Sequence, residues 1–341
     1  MSEEQSFKAF AGDGEEIARR QEKLNEPDKY HVDDNLRNAV NVALMLGLPL
    51  LVTGKPGTGK TQLARRVALE LGLPTDKYPL NFYTKSTSTA RDLFYQYDAL
   101  RHFRDSQVAE KGEDVAADPY ITYEALGLAI LLSLEPTDGQ RAKVNRYLPE
   151  KYRGEGPLRP VVLIDEIDKA PRDFPNDLLN EIEGMTFTIK EVGDEGGKRQ
   201  GLTVTAAVRY RPVVIITSNS ERDLPDAFLR RCVFYHIEPP DKESLERIVA
   251  GRLDLGAGFT EQMRSNAIRH FLKIRDALPN LDKTPATAEL LAWMRVLEDR
   301  KLDVLDGSRA SELKKTYVTL AKSEKDLNTL RDALDKRVTI P

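Results

Sequence analysis

Apolar residues recur along this chain with two different rhythms, and the rhythm changes past residue 240. Over residues 35–46 they fall at helical spacing (Leu36, Val40, Val42, Ala43, Leu46), and Gly47 ends the pattern. Leu50-Leu51-Val52 is a short unbroken apolar run before a Gly-rich turn, which reads as a buried strand; residues 61–71 are helical again. Residues 81–84 are a second candidate strand. Residues 90–107 predict one helix with Leu93, Tyr97, Leu100 and Phe103 on one side, and residues 123–134 predict another. Val161-Val162-Leu163-Ile164 is the strongest buried-strand pattern, followed by a helix over 174–185. Residues 187–192 and 202–208 flank a Gly/Asp/Lys-rich segment and predict a hairpin; residues 213–217 and 233–237 are further strands. Residues 108–120 are polar and 136–159 rich in charge, Gly and Pro, so both read as irregular.

From Asp241 onward strand-like runs vanish and helical periodicity continues through Leu334. Asp241 is placed to cap a helix over 242–253. Thr284 followed by Pro285 predicts another helix start. Trp293 lies on an amphipathic stretch and is expected in a helical core. The predicted organisation is a polar N-terminal arm over 1–29 with a short helix near 15–24, an α/β domain over 30–238 and an all-helical domain over 239–341. A length of 341 residues accommodates two domains.

Hydrophobic residues make up 40% and charged residues 31%, which places the chain among ordinary globular proteins. A net charge of −4 lacks the broad basic field of a non-specific nucleic-acid binder. One cysteine, Cys232, excludes an internal disulfide, fits a reducing compartment and reads as a small, partly buried residue. The longest apolar stretch, residues 42–52, is broken by Gly47 and Pro49, too short for the roughly 20 residues of a membrane span. No basic segment leads into an apolar one at the N-terminus, so the cytoplasm is the expected location. His102, His236 and His270 are scattered without metal-ligand spacing and read as structural.

Gly54-Lys55-Pro56-Gly57-Thr58-Gly59-Lys60-Thr61 matches G-x-x-x-x-G-K-[ST] in full, between an apolar strand and a helix. Glycines let the backbone turn so that its N–H groups face phosphate oxygens, and the helix N-terminus adds a favourable dipole. In this pattern Lys60 reaches the β- and γ-phosphates of ATP and the Thr61 hydroxyl coordinates Mg²⁺. Asp165 and Glu166 end the strongest strand, at the edge where open α/β sheets bind ligands. Coupled to the loop, Asp165 is a second Mg²⁺ ligand and Glu166 the residue that orients or deprotonates the attacking water. An acidic pair alone would be only a turn.

These stretches resemble the AAA+ ATPases, and within them the MoxR family, over roughly residues 30–300. Asn38-Ala39-Val40-Asn41 with the run from Leu48 to Gly54 resembles the lead-in to the family's nucleotide loop. Residues 84–97 are similar to a stretch of a bacterial MoxR-like subgroup, and Asp165-Glu166-Ile167-Asp168-Lys169-Ala170 to the second nucleotide motif. The hairpin at 187–208 resembles the helix-2 insert of this clade. The resemblance implies a P-loop core with a parallel sheet, that β-hairpin insert and an all-α lid.

The resemblance also assigns roles. Asn219, after Ile215-Ile216-Thr217-Ser218, falls where sensor 1 sits beside the γ-phosphate. The stretch from Leu224 to Cys232 resembles the helix that carries the arginine finger, with Arg231 the first candidate and Arg230 the second; a finger implies a ring. Lys283 stands in the neighbourhood where the family carries a sensor 2 arginine. Tyr30, His31 and Val32 precede the first helix where AAA+ proteins contact adenine, and Lys198 and Arg199 at the hairpin tip are candidates to touch a client or a neighbour. The implied protein is a hexameric remodelling ATPase acting on a protein client, one with a von Willebrand factor A domain. Two other readings compete: a nucleic-acid AAA+ enzyme of the helicase-loader or restriction type, and a signalling switch that seldom turns over. A pI of about 5.8 and the absence of basic stripes weigh against the first. The intact Glu166 and Asn219 weigh against the second.

Overall fold

The computed structural model describes residues 26–108, 115–135, 148–192, 201–253, 256, 258–277 and 281–335. The expected 15–24 helix and the hairpin tip at Lys198 and Arg199 lie outside them. The described chain forms two compact units. One comprises Val32–Lys55 with Lys60–Ile237; the other gathers Pro56–Gly59 and Glu238 onward with the described residues up to His31.

The first unit is built on a five-stranded parallel sheet. It contains β1 (Leu50–Thr53), β2 (Leu80–Tyr83), β5 (Val161–Asp165), β8 (Val213–Ser218) and β9 (Val233–His236), ordered β2-β5-β8-β1-β9. β1, β5 and β8 are the unbroken apolar runs. Val161 to Ile164 are fully buried, as strands covered on both faces must be. Each such Val, Leu or Ile contributes roughly 1.5–3 kcal/mol by leaving water. α1 (Asp34–Leu46) begins where the Asp33 carboxylate accepts the Leu36 N–H at 2.9 Å, and it ends at Gly47 with φ 66°. α2 (Lys60–Glu70) follows the glycine-rich loop, and Val67 and Ala68 are buried on its inner face.

Two antiparallel ribbons decorate this core. One pairs β3 (Tyr95–Tyr97) with β4 (Ile121–Tyr123) and the other pairs β6 (Thr186–Ile189) with β7 (Leu202–Thr205). The second is the expected hairpin, after α5 (Phe174–Gly184). The first corrects the sequence reading. Residues 90–107 are a 3₁₀ turn (Ala90–Leu93), strand β3 and then α3 (Ala99–Val108). The helical spacing there was fortuitous: Leu93 is fully buried, whereas Leu100 and Phe103 are 76% and 63% exposed. The alternation of Tyr95-Gln96-Tyr97 prevails locally, and Asp98 restarts a helix by accepting the Arg101 N–H at 2.9 Å. The helix expected at 123–134 is shortened to α4 (Ala125–Leu132) because Tyr123 pairs with Tyr95 in the ribbon.

In the helical unit, α7 (Lys242–Arg252) is capped by Asp241, whose carboxylate accepts the Ser244 N–H at 2.8 Å. It precedes α8 (Glu261–Ala277), α9 (Thr287–Asp299), α10 (Ala310–Thr316) and α11 (Glu324–Asp335); α6 (Asp226–Leu229) belongs to the first unit. Leu245, Val249, Phe271, Trp293 and Tyr317 share the core. α9 starts later than Thr284 suggested, with Ala286 at its N-cap. There Glu289 reaches back to accept the Ala286 N–H at 2.9 Å, and this contact defines the first turn.

Candidate active site

β1 opens into the glycine-rich loop at its C-terminal end. Gly54, Gly57 and Gly59 have φ of 147°, 80° and 95°, values that side chains of L residues rarely tolerate. At Gly59 space is restricted as well, since an added Cβ would lie 3.0 Å from the Tyr30 ring. The Lys60 side chain turns back over the loop and donates to the carbonyls of Gly54 at 2.7 Å and Lys55 at 3.0 Å. Burial pushes the Lys60 ammonium below its ordinary range, opposed by the carboxylates of Asp165, Asp168 and Glu166. A partly desolvated cation so placed is suited to phosphate oxygens.

The strand order assembles the rest. β8 lies between β1 and β5, so the loop after β1 and the acids after β5 flank the end of β8. The Thr61 hydroxyl donates to the Asp165 carboxylate at 3.2 and 3.4 Å. Glu166 leaves the strand in a left-handed conformation (φ 57°, ψ 55°). Its carboxylate accepts the Asn219 side-chain amide at 2.9 Å on one oxygen and pairs with Lys169 on the other. That contact raises the Lys169 pKa and keeps its ammonium charged. Asp168, only 3% exposed, accepts the backbone N–H groups of Asn219 at 3.2 Å and Glu221 at 3.1 Å. The buried carboxylate thereby fixes the turn that carries Asn219.

Thr61, Asp165, Glu166 and Asn219 are therefore brought together at the C-terminal end of the sheet, with Lys60 anchored on the adjoining loop. Arg230 ends α6, and Arg231 follows one residue before Cys232 and β9. Both are exposed, and neither makes an ion pair or side-chain hydrogen bond among the described residues. Lys283 is exposed in the helical unit, its N–H held by Asp326 at 3.3 Å. The histidines serve packing: the His236 ring bonds the Thr53 hydroxyl at 2.8 Å, His102 stacks on Tyr120, and His270 lies against Tyr317 and Trp293.

Sequence reasoning placed Asp168 and Thr217 within motifs but gave neither a role of its own. The Thr217 hydroxyl donates to Asp165 Oδ1 at 2.6 Å and accepts the Glu166 N–H at 2.9 Å. A Thr among the apolar residues of β8 was the available signal.

The residues fit a metal-bound nucleotide. A carboxylate and a hydroxyl converge as oxygen donors of the kind Mg²⁺ takes, beside a buried lysine and a loop of positive-φ glycines.

Residues 49–232 match the model of the AAA domain (dynein-related subfamily). The chain is 26% identical to the ATP-dependent protease ATPase subunit HslU of Bradyrhizobium sp. BTAi1, across 92% of this chain and 82% of that protein. HslU of Bradyrhizobium sp. ORS 278 is also 26% identical, across 90% of this chain and 76% of that protein. Domain III of the Thermotoga maritima replication initiation protein DnaA aligns with a TM-score of 0.39 at 14% identity, covering 89% of this chain and 98% of that one. The matched region covers the loop, both acids and the β8 turn, and the chain belongs to the AAA domain family, dynein-related subfamily: it is an AAA+ ATPase with an α/β P-loop core followed by a helical lid region.

Proposed function

We propose that this chain is an AAA+ motor of the MoxR type that hydrolyses ATP with Mg²⁺ to remodel or assemble a partner protein, working as a hexameric ring in the cytoplasm. The observation that carries the hydrolytic part is the convergence of Thr61, Asp165, Glu166 and Asn219 on one edge of the sheet. The loop N–H groups of residues 54–59 and the Lys60 ammonium bind the phosphates, and Thr61 and Asp165 hold Mg²⁺. When bound, Mg²⁺ would supply positive charge that offsets the charge on the phosphate oxygens. Glu166 orients the attacking water and takes up its proton. The Asn219 amide keeps the Glu166 carboxylate in place and faces the γ-phosphate.

Arg231, with Arg230 as the second candidate, reaches across to the neighbour's nucleotide, where a permanently charged guanidinium suits the spreading charge of the transition state. Its exposure and lack of a described partner support that role. Lys283 takes the sensor 2 position. The functional division is an arm over 1–29, an ATPase core over 30–238 and a lid over 239–341. The HslU relatives, whose name marks an ATPase subunit of a protease, support a protein substrate over nucleic acid. The MoxR resemblance adds a von Willebrand factor A domain client. No described helix is long and apolar enough to cross a membrane. Sedimentation velocity of the Glu166→Gln protein with ATP and Mg²⁺ tests the ring. A six-chain species supports it, and a monomer at every concentration rules it out.

A further inference from the structure

Thr217 occupies the middle of the sheet. Register places Val52 of β1 beside it, and the neighbouring Ile216 beside Ile164 of β5. It is completely buried, so its hydroxyl must find its partners inside the protein. A hydroxyl has one proton and two lone pairs. Here the proton goes to Asp165 Oδ1 at 2.6 Å, and a lone pair receives the Glu166 N–H at 2.9 Å. One side chain on β8 thus holds both consecutive acids of β5.

The second bond bears on the conformation of Glu166. With φ 57° and ψ 55°, Glu166 adopts a backbone region that residues with a Cβ usually avoid. That turn ends the strand and brings the Glu166 carboxylate to the Asn219 amide. It also leaves the Glu166 N–H in need of an acceptor off the ladder, which Thr217 provides. The first bond has a separate effect: it holds Oδ1 of Asp165 and so fixes the carboxylate plane, with both carboxylate oxygens in reach of the Thr61 hydroxyl at 3.2 and 3.4 Å.

We propose that Thr217 is a positioning residue for hydrolysis, locking Glu166 in its left-handed turn and Asp165 in its plane through a single buried hydroxyl. Fully buried, it acts through the two acids that it holds. The proposal rests on the reading of Glu166 as the base and Asp165 as the metal ligand. It predicts a kcat defect without a binding defect, because the phosphate loop makes no use of Thr217.

The test compares wild type with Thr217→Val, which keeps the shape and removes the hydroxyl, and Thr217→Ser, which keeps the hydroxyl. Steady-state ATPase rates are measured beside the Kd for a fluorescent ATP analogue, with circular dichroism to establish folding. Thr217→Val is expected to lower kcat about 10- to 100-fold, the usual effect of losing a partner that orients a reacting or ligating group, with KM and Kd within about threefold. Thr217→Ser is expected to recover kcat to within about threefold of wild type. Should Thr217→Val not fold, Thr217→Ala carries the same comparison. Wild-type kcat in the folded variant without the hydroxyl overturns the proposal, as does a Thr217→Ser protein no better than it. Glu166→Gln run in parallel separates the two levels. If that variant hydrolyses ATP normally, the reading of Glu166 fails; if it is inactive while Thr217→Val is unimpaired, only the role of Thr217 fails.

Discussion

Acid should weaken the helical unit through one histidine. His270 is 2% exposed, its Nε2 bonds the Tyr317 hydroxyl at 2.8 Å, and its Nδ1 is buried without a hydrogen-bond partner among the described residues. Whichever nitrogen carries the proton in the neutral ring, protonating the other leaves a buried N–H or displaces the tyrosine bond. Burial, with a smaller contribution from Lys273, pushes the His270 pKa from 6.5 down to about 4. The folded value lies below the unfolded one, so the unfolded chain takes up a proton first as pH falls. Stability is unaffected above about pH 6.5, declines below it, and stops declining near pH 4. A shift of about 2.5 units at about 1.36 kcal/mol each gives a loss of about 3 kcal/mol. The chain has one tryptophan, Trp293, whose ring centroid lies 5.5 Å from that of His270, so its fluorescence reports on this core directly. Urea unfolding followed by Trp293 emission at pH 7.5 and pH 4.5, for wild type and His270→Gln, isolates the effect from carboxylate titrations shared by both. Wild type should lose about 2–3 kcal/mol more than the variant over that interval. Equal losses in the two proteins would refute the reasoning.

Further outcomes follow from the site. Asn219→Ala removes the amide that holds Glu166 and should lower kcat by about 10²-fold while nucleotide Kd changes little, read by turnover beside fluorescent-nucleotide binding. Gly59→Ala forces a Cβ onto a backbone at φ 95° and to 3.0 Å from the Tyr30 ring, so nucleotide affinity measured by calorimetry should fall about tenfold. Loss of the ring alone, in a Tyr30→Ala background, should not restore it, because the backbone strain remains. Burial pushes the Cys232 thiol up to about 12, so in the native protein it should resist a thiol reagent at neutral pH and react at once in denaturant.

Much of the site was legible because its residues sit at places that pattern alone marks. The phosphate loop announces itself between an apolar run and a helix, and Asp165-Glu166 closes the most apolar strand. Both signals arise because a parallel sheet covered on both faces demands unbroken Val, Ile and Leu, then stops where ligand chemistry begins. Asn219 became meaningful only through the resemblance. In the structure the Asn219 amide meets Glu166, and Asp168 holds the turn beneath it. Thr217 was hidden because its role depends on β8 lying beside β5, a pairing that no local window reveals. The ribbon of Tyr95–Tyr97 and Ile121–Tyr123 was hidden for a related reason. Three residues carry too short an alternation to outweigh a helical spacing assembled from Leu93 in the core and from Leu100 and Phe103 on the surface.

The most direct test of the account is ATPase rate against protein concentration for wild type, Glu166→Gln and Arg231→Ala, with Arg230→Ala as the second arginine. The account predicts that specific activity of the wild type rises with concentration to a plateau. Glu166→Gln should be inactive while still binding nucleotide, and loss of the finger arginine should collapse the plateau. Activity independent of concentration across the range, and unchanged in both arginine variants, would contradict a ring with a shared active site; hydrolysis by Glu166→Gln at the wild-type rate would contradict the catalytic assignment itself.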